Sequence, residues 1–258
     1  ILKNRLSLNE KIVMKEMLNQ DKVFDMKKFL LDILRYTLFF EAIGTIILSF
    51  RMIDDYGPID GIMKAAFLSV SAFCNAGFDT LGSTSLQGYV HDPLICITIM
   101  SLIVLGGLGF AVWFDVRDKL DTLFHRTITF KKFYKSLTLH TKIVLVVTAL
   151  LITIPSALIL ILEYNNPQTM AGFTFPEKVM SSTFESIALR TAGFTTINYA
   201  NITAGTQMLM MVVMFIGGSP GGTAGGIKTT TFAMLVIYMI NMLKGRDNIV
   251  VLRRHIAN

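Results

Sequence analysis

The sequence predicts an all-α membrane protein, and its composition, hydropathy and charge placement all point to that fold class. Of the 258 residues, 52% are hydrophobic and 16% are charged, whereas soluble domains carry about 25% charged residues. Residues 94–114 and 143–162 contain no charged side chain. Stretches of that length cross a hydrocarbon core of about 30 Å as single helices.

The basic residues alternate along the chain with acidic segments, as membrane topology requires. Residues 1–35, 115–142 and 244–258 hold most of the 24 Lys and Arg side chains. By the positive-inside tendency these segments are cytoplasmic, and the acidic segments 51–92 and 163–205 face outward. The net charge of +6 is therefore a topology signal, and it does not predict a nucleic-acid partner.

The first elements are a cytoplasmic segment and a weak span. Residues 1–29 mix charges with apolar residues, which predicts an amphipathic cytoplasmic segment packed on the membrane part or open to a partner. Residues 33–50 form a candidate span, with Arg35 near one end and Glu41 well inside. An ionisable side chain at that depth predicts either a functional group or a structural, hydrogen-bonded glutamate.

Two segments on the outward side repeat each other. Residues 69–82 and 185–198 share an Ala-Gly-Phe motif, and each motif ends a short apolar segment of roughly half the length of a span. The chain therefore holds two copies of one unit: a span, a half-length helix, Ala-Gly-Phe and a further apolar stretch. At one constant offset, Ala72, Ala76, Gly77, Phe78 and Thr80 match Ala188, Ala192, Gly193, Phe194 and Thr196.

A unit of this kind could bind a cation within the membrane. A half-length helix directs the negative end of its dipole into the membrane, and glycine lets the following chain turn its carbonyls inward. The carbonyls of residues 75–77 and 191–193 are thus predicted to replace the hydration shell of a cation. The alternative is a pair of re-entrant hairpins that only fill space.

A glycine-rich segment breaks the last apolar stretch. Residues 217–231 interrupt the apolar residues 206–243, which predicts one span with an unwound middle. A phosphate-binding loop is the alternative, but Ile227 stands where that motif requires lysine. Lys228 predicts either a positive charge beside a cation path or a side chain that reaches the headgroups.

Three motifs resemble one family. CNAGFDTLG at residues 74–82, RTAGFTTIN at 190–198 and FIGGSPGGTAGGIKTTTF at 215–232 resemble the potassium-translocating subunits of the Trk/Ktr/HKT superfamily, most closely the bacterial Ktr membrane subunit. This resemblance covers essentially the whole chain. It implies four repeated M1-pore helix-M2 units around a central pore, of which two are present here.

The resemblance assigns the segments as follows. Residues 30–120 are the second repeat, and residues 139–245 are the third repeat, whose M2 is broken by the intramembrane gating loop at 217–231. Residues 121–138 are a cytoplasmic linker, and residues 246–258 lead to a missing fourth repeat.

The implied function is channel-like K⁺ uptake, without enzymatic catalysis, by a multi-pass protein of the cell (plasma) membrane. The implied K⁺ filter consists of backbone groups of Asn75, Ala76, Gly77, Phe78, Thr191, Ala192, Gly193 and Phe194. The implied gate consists of Gly217, Gly218, Ser219, Pro220, Gly221, Gly222, Thr223, Ala224, Gly225, Gly226, Ile227, Lys228 and Thr229.

The implied partners are membrane lipid, a second copy in a homodimer, and a KtrA-like ring of cytoplasmic nucleotide-binding regulatory subunits, with Na⁺ as an activator. Basic segments 117–142 and 244–254 are candidate docking surfaces. Two alternatives stay open: an Na⁺-permeable relative of the same superfamily, and a non-conducting membrane scaffold.

The remaining ionisable and thiol side chains have simpler interpretations. Glu185 and Arg190 flank the second Ala-Gly-Phe motif, and Asp79 is expected to concentrate cations at the outer mouth. Cys74 and Cys96 are too few for a disulfide framework, so Cys74 is predicted to be a small packing residue. Ordinary surface charges are expected for Asp54, Asp55, Asp60 and Glu163.

Overall fold

The computed structural model describes residues 26–82, 84–125, 130–244, 250–251 and 254–255. Apart from loops, an isolated bridge and one antiparallel pair of strands, these residues are helical. The helices are α1 (Met26–Tyr56), α2 (Pro58–Phe73), α3 (Pro93–Gly107), α4 (Phe110–His125), α5 (Phe130–Ser136), α6 (Leu139–Glu163), α7 (Phe175–Ala188), α8 (Ala204–Met214) and α9 (Thr229–Leu243). The strands are β1 (Val250–Val251) and β2 (Arg254–His255). Most of the predicted cytoplasmic segment 1–29 lies outside the described residues.

Helices α1 and α6 are long and apolar enough to cross a membrane. Helix α1 extends well beyond the predicted span 33–50 at both ends, and α6 contains the predicted span 143–162 without a break at Pro155. Each long helix is followed by a short one, α2 after α1 and α7 after α6, and each pair packs together. The order of long and half-length helices therefore agrees with the sequence prediction.

The prediction of one unbroken span over residues 94–114 was wrong. The chain bends by 97° between α3 and the first part of α4. Gly109 lies at the bend with φ +88°, and the N–H of Phe110 donates to the carbonyl of Gly221 instead of to its own helix. The glycine-rich loop thus supplies the hydrogen bond that the bend removes, which hydropathy alone does not reveal.

One hydrophobic core joins the two pairs of helices. Side chains of α1, α2 and α3, including Leu48, Phe73 and Ile99, pack with Phe184 of α7 in a single buried cluster. Phe194, which follows the second Ala-Gly-Phe motif, belongs to the same cluster. This shared core fixes the loop after α2 against the loop after α7.

Glu163 is not the surface charge that the sequence predicts. Its side chain is fully buried at the end of α6. Its carboxylate accepts hydrogen bonds from Asn166, Thr169, Thr203 and Thr206. Because every donor lies in the turn after α6 or at the start of α8, this carboxylate joins those two helices and does not attract ions at the mouth.

We expect two adjacent glycines at the end of α3 to tolerate alanine very differently. An added Cβ at Gly106 would lie 1.9 Å from the carbonyl oxygen of Phe73, whereas at Gly107 its nearest neighbour would be the Ala224 Cβ at 3.8 Å. Gly106→Ala should therefore destabilise the protein by about 2 kcal/mol, and Gly107→Ala should be nearly neutral. Thermal unfolding of both variants in detergent tests this, and equal stability would contradict the described packing.

Candidate functional site

The structure brings the two Ala-Gly-Phe segments into direct contact. An added Cβ on Gly77 would lie 2.8 Å from the carbonyl oxygen of Ala192 and 2.8 Å from the Cα of Gly193. An added Cβ on Gly193 would lie 2.6 Å from the Cα of Gly77. Residues predicted to act together from positions more than a hundred residues apart are thus adjacent, and neither position has room for a side chain.

The backbone repeats between the two segments. Gly77 and Gly193 have φ values of +73° and +81°, and the residues two positions earlier, Asn75 and Thr191, have φ values of +51° and +66°. A positive φ in a residue other than glycine costs on the order of 1–3 kcal/mol and persists only where the surroundings hold it. Both segments therefore carry the same strained conformation at equivalent positions.

The carbonyls of these segments are free to accept. The N–H groups of Asn75 and Ala76 donate back to α2, and that of Ala192 donates to the last turn of α7. Among the hydrogen bonds formed between described residues, none ends on a carbonyl oxygen of residues 75–77 or 191–193. The N–H groups of Asn75, Ala76 and Ala192 are thus bound, whereas the carbonyl oxygens of both segments are open.

The chain after each Ala-Gly-Phe segment is held by a charged side chain of the preceding short helix. The buried carboxylate of Glu185 accepts from Thr195, from the N–H and hydroxyl of Thr196, and from the Tyr199 hydroxyl. In the first unit the Lys64 ammonium donates to the carbonyl of Thr80. Thr80 and Thr196 are repeat equivalents, so the same position is anchored in both units by opposite charges.

The position before each segment differs between the units. Arg190 is 2% exposed, and none of its three side-chain nitrogens has a hydrogen-bond partner among the described residues. Its equivalent, Cys74, is exposed and donates from its thiol to the Glu41 carboxylate at 3.7 Å. The prediction of Cys74 as a packing residue was therefore wrong, and Glu41 lies at the base of the first segment.

The glycine-rich loop is ordered and folds back on itself. Its two arms pair through the N–H of Gly217 to the carbonyl of Ile227 and the N–H of Ile227 to the carbonyl of Phe215. The Lys228 ammonium donates to the Ala224 carbonyl at 2.8 Å. Lys228 is thus bound within the loop and keeps its positive charge there, and of the two predictions for this side chain the contact favours a charge within the loop over one that reaches the headgroups.

The same loop contacts both Ala-Gly-Phe segments. The Thr223 hydroxyl donates to the carbonyl of Phe73 at 2.8 Å and accepts from the Asn75 amide at 2.7 Å. On the other side the N–H of Gly225 donates to the Thr191 hydroxyl at 2.8 Å. No sequence signal predicted these contacts, although the glycines at 106, 107 and 109 mark the end of α3, where the loop docks.

Several charged side chains lie on the predicted outer side. Asp54, Asp55 and Asp60 are exposed, as predicted. Glu177, near the start of α7, lies 2.8 Å from His91. Hydrogen bonds from the N–H and hydroxyl of Thr174, and then from His91, lower the pKa of Glu177 to about 2. This carboxylate therefore stays ionised at every physiological pH and adds negative charge to the acidic side.

The chain is similar to bacterial cation transport proteins. Residues 1–257 match the TrkH family model, described as a cation transport protein. The potassium/sodium uptake protein NtpJ of Enterococcus hirae is 39% identical over 95% of this chain and 51% of its own length. The Ktr system potassium uptake protein B is 36% identical in Vibrio alginolyticus, over 97% of this chain and 52% of that protein, and 34% identical in Bacillus subtilis, over 99% and 55%.

A solved structure has the same fold. The potassium transporter TrkH of Vibrio parahaemolyticus superimposes with a TM-score of 0.70 at 18% identity, over 96% of this chain and 49% of that one. The chain thus spans about half the length of the relatives that it matches.

We expect the buried Glu185 network to stabilise the segment after Phe194. Glu185→Ala leaves the Thr196 N–H buried without an acceptor and should cost about 3 kcal/mol. Tyr199→Phe removes one hydrogen bond at a partly exposed ring and should cost about 1 kcal/mol. Thermal unfolding in detergent checks the order, and a Tyr199→Phe variant as unstable as Glu185→Ala would contradict a network centred on the carboxylate.

Proposed function

We propose, since this chain belongs to the TrkH family of cation transport proteins, that it forms two quarters of a K⁺ uptake pore in the plasma membrane. In this proposal α1 to α4 belong to the second repeat, 30–120, and α6 to α9 to the third, 139–245. K⁺ moves inward down its electrochemical gradient, and no covalent step is involved.

The observation that carries the proposal is the pair of open backbone segments at Gly77 and Gly193. A K⁺ ion gives up its water only where several oxygens replace it, and backbone carbonyls do so in potassium-selective pores. Residues 75–78 and 191–194 would supply two of four such walls. Non-helical backbone at that depth is tolerated where it is buried in protein or lines a water-filled cavity, and the open carbonyls of both segments favour the cavity over a space-filling scaffold.

Two equivalent phenylalanines support the presence of further repeats in the complete protein. Phe194 is 1% exposed because the first unit covers it, whereas Phe78 is 70% exposed. If each repeat covers the phenylalanine of the next, then Phe78 requires a preceding repeat. The chain spans about half the length of its relatives, which leaves room for that repeat and a fourth.

We assign gating to residues 217–229. The loop lies against both filter segments and is held by hydrogen bonds that a modest movement would break, rather than by a buried apolar core. Such a segment has the properties of a two-position switch. A homodimer, a KtrA-like nucleotide-binding ring below it and Na⁺ as an activator complete the proposal.

The Na⁺-permeable alternative stays distinct from this proposal. NtpJ, whose name includes both ions, is among the similar relatives. We favour K⁺ because two of the relatives are named as potassium uptake proteins of the Ktr system.

Replacement of either filter glycine by serine should reduce K⁺ selectivity. Gly77→Ser and Gly193→Ser each force a Cβ against the opposite segment at a positive φ, so the carbonyls must move apart and Na⁺ should compete more strongly. Uptake of K⁺ with and without Na⁺ by the full-length protein, in a strain without its own K⁺ importers, measures this. Gly88→Ser is the matched control, because nothing lies within 4 Å of its added Cβ. Unchanged selectivity in both filter variants would favour the scaffold.

Shortening the loop should open the pore. Deletion of residues 221–226 removes Thr223 and Gly225, and therefore the contacts to both filter segments. The initial rate of K⁺ uptake per molecule at the membrane should rise severalfold and should no longer depend on the regulatory subunit. A rate equal to or below that of the unmodified protein would argue against a gate.

A further inference from the structure

We infer that Thr223 is a positioning residue for ion selectivity, and that its hydroxyl couples the gating loop to the filter. This inference rests on the proposed function, but it adds a role that neither the filter nor the gate has alone. It predicts that the shape of the filter depends on whether the loop is docked.

Thr223 joins three parts of the molecule through its hydroxyl and its N–H. It donates to the carbonyl of Phe73, the last residue of α2, and it accepts from the amide of Asn75, the first residue of the filter segment. The N–H of Thr223 donates to the carbonyl of Gly106 in α3. One loop residue thus holds the end of the short helix, the filter and the end of the neighbouring helix.

The contact acts on a residue that needs support. Asn75 is a non-glycine residue at φ +51°, a left-handed conformation that asparagine enters more readily than most residues and that its contacts select here. Its amide oxygen is buried without a hydrogen-bond partner among the described residues, and the second contact of its amide nitrogen, to Phe73, is longer at 3.4 Å. The 2.7 Å bond to Thr223 is therefore the main polar restraint on this side chain.

The third repeat has a matching contact. Thr191 occupies the position equivalent to Asn75, has the same left-handed backbone, and accepts from the N–H of Gly225. Two loop residues only two positions apart thus bind the same filter position in both units. The loop cannot leave its present site without releasing both.

The loop packs tightly against the ends of α2 and α3 at Gly106. An added Cβ on Gly106 would meet the Thr223 hydroxyl at 2.7 Å as well as the Phe73 carbonyl. Because the three elements touch at a glycine, a displacement of the loop removes these bonds together. By reciprocity, any ion that favours the present filter shape also favours the docked loop.

The test is the K⁺/Na⁺ uptake ratio of the full-length protein carrying Thr223→Val in proteoliposomes. Valine keeps the shape and removes both hydrogen bonds, so we expect the ratio to fall roughly tenfold, the effect of about one buried hydrogen bond, while total cation flux rises. Thr223→Ser should recover most of the ratio. Thr153→Val is the matched control, because that exposed hydroxyl binds only within its own helix, to Ala149, and its ratio should be unchanged.

The ratio does not depend on the amount of protein, so a folding defect does not mimic the result. If Thr223→Val does not reach the membrane, Thr191→Val removes the matching contact and should lower the ratio in the same direction. A wild-type ratio in the valine variant that is tested overturns the coupling but leaves the proposed function intact. Absence of K⁺ uptake by the unmodified protein overturns both.

Discussion

Backbone groups removed from water need hydrogen-bond partners, and in this chain the glycine-rich loop supplies them for the other broken elements. It accepts the N–H of Phe110 where α3 bends into α4, donates to the carbonyls of Gly106 and Gly107, and binds the last carbonyl of α2 through Thr223. It also pairs with itself between α8 and α9. The glycine-rich segment, which breaks the last apolar stretch of the sequence, therefore contacts the ends of α2 and α3 and the start of α4.

The backbone carbonyls of the two Ala-Gly-Phe segments are an exception to this pattern. The carbonyls of residues 75–77 and 191–193 accept no hydrogen bond from a described residue, although the N–H groups of Asn75, Ala76 and Ala192 are bound. Carbonyl oxygens that accept nothing from the protein can bind water or a cation. Gly77 and Gly193 make the arrangement possible because their backbones approach each other more closely than any side chain permits.

Much of this site could be predicted from the sequence, because its repeat pairs residues that the fold brings together. The half-length helices and the contact between Gly77 and Gly193 follow from it. The 97° bend after α3 could not be predicted in the same way, because hydropathy reports an apolar run and not its dihedral angles. Glu163 was misassigned because its five donor groups, from the turn after α6 and the start of α8, come together only in the fold. The contacts of Thr223 with Phe73 and Asn75 likewise join residues that are distant in the sequence and meet only in the fold.

The two units share a backbone and differ in what supports it. Thr80 is anchored by the cation of Lys64, and its equivalent Thr196 by the anion of Glu185. Cys74 contacts a carboxylate, whereas the equivalent Arg190 is buried without a carboxylate partner in the part of the chain that the structure describes. A pore requires equal carbonyl geometry around its axis, but it places no such demand on the side chains behind the carbonyls. Those side chains are free to diverge, and this freedom allows one unit to carry a loop that contacts its neighbour while both keep the same backbone conformation at the Ala-Gly-Phe segments.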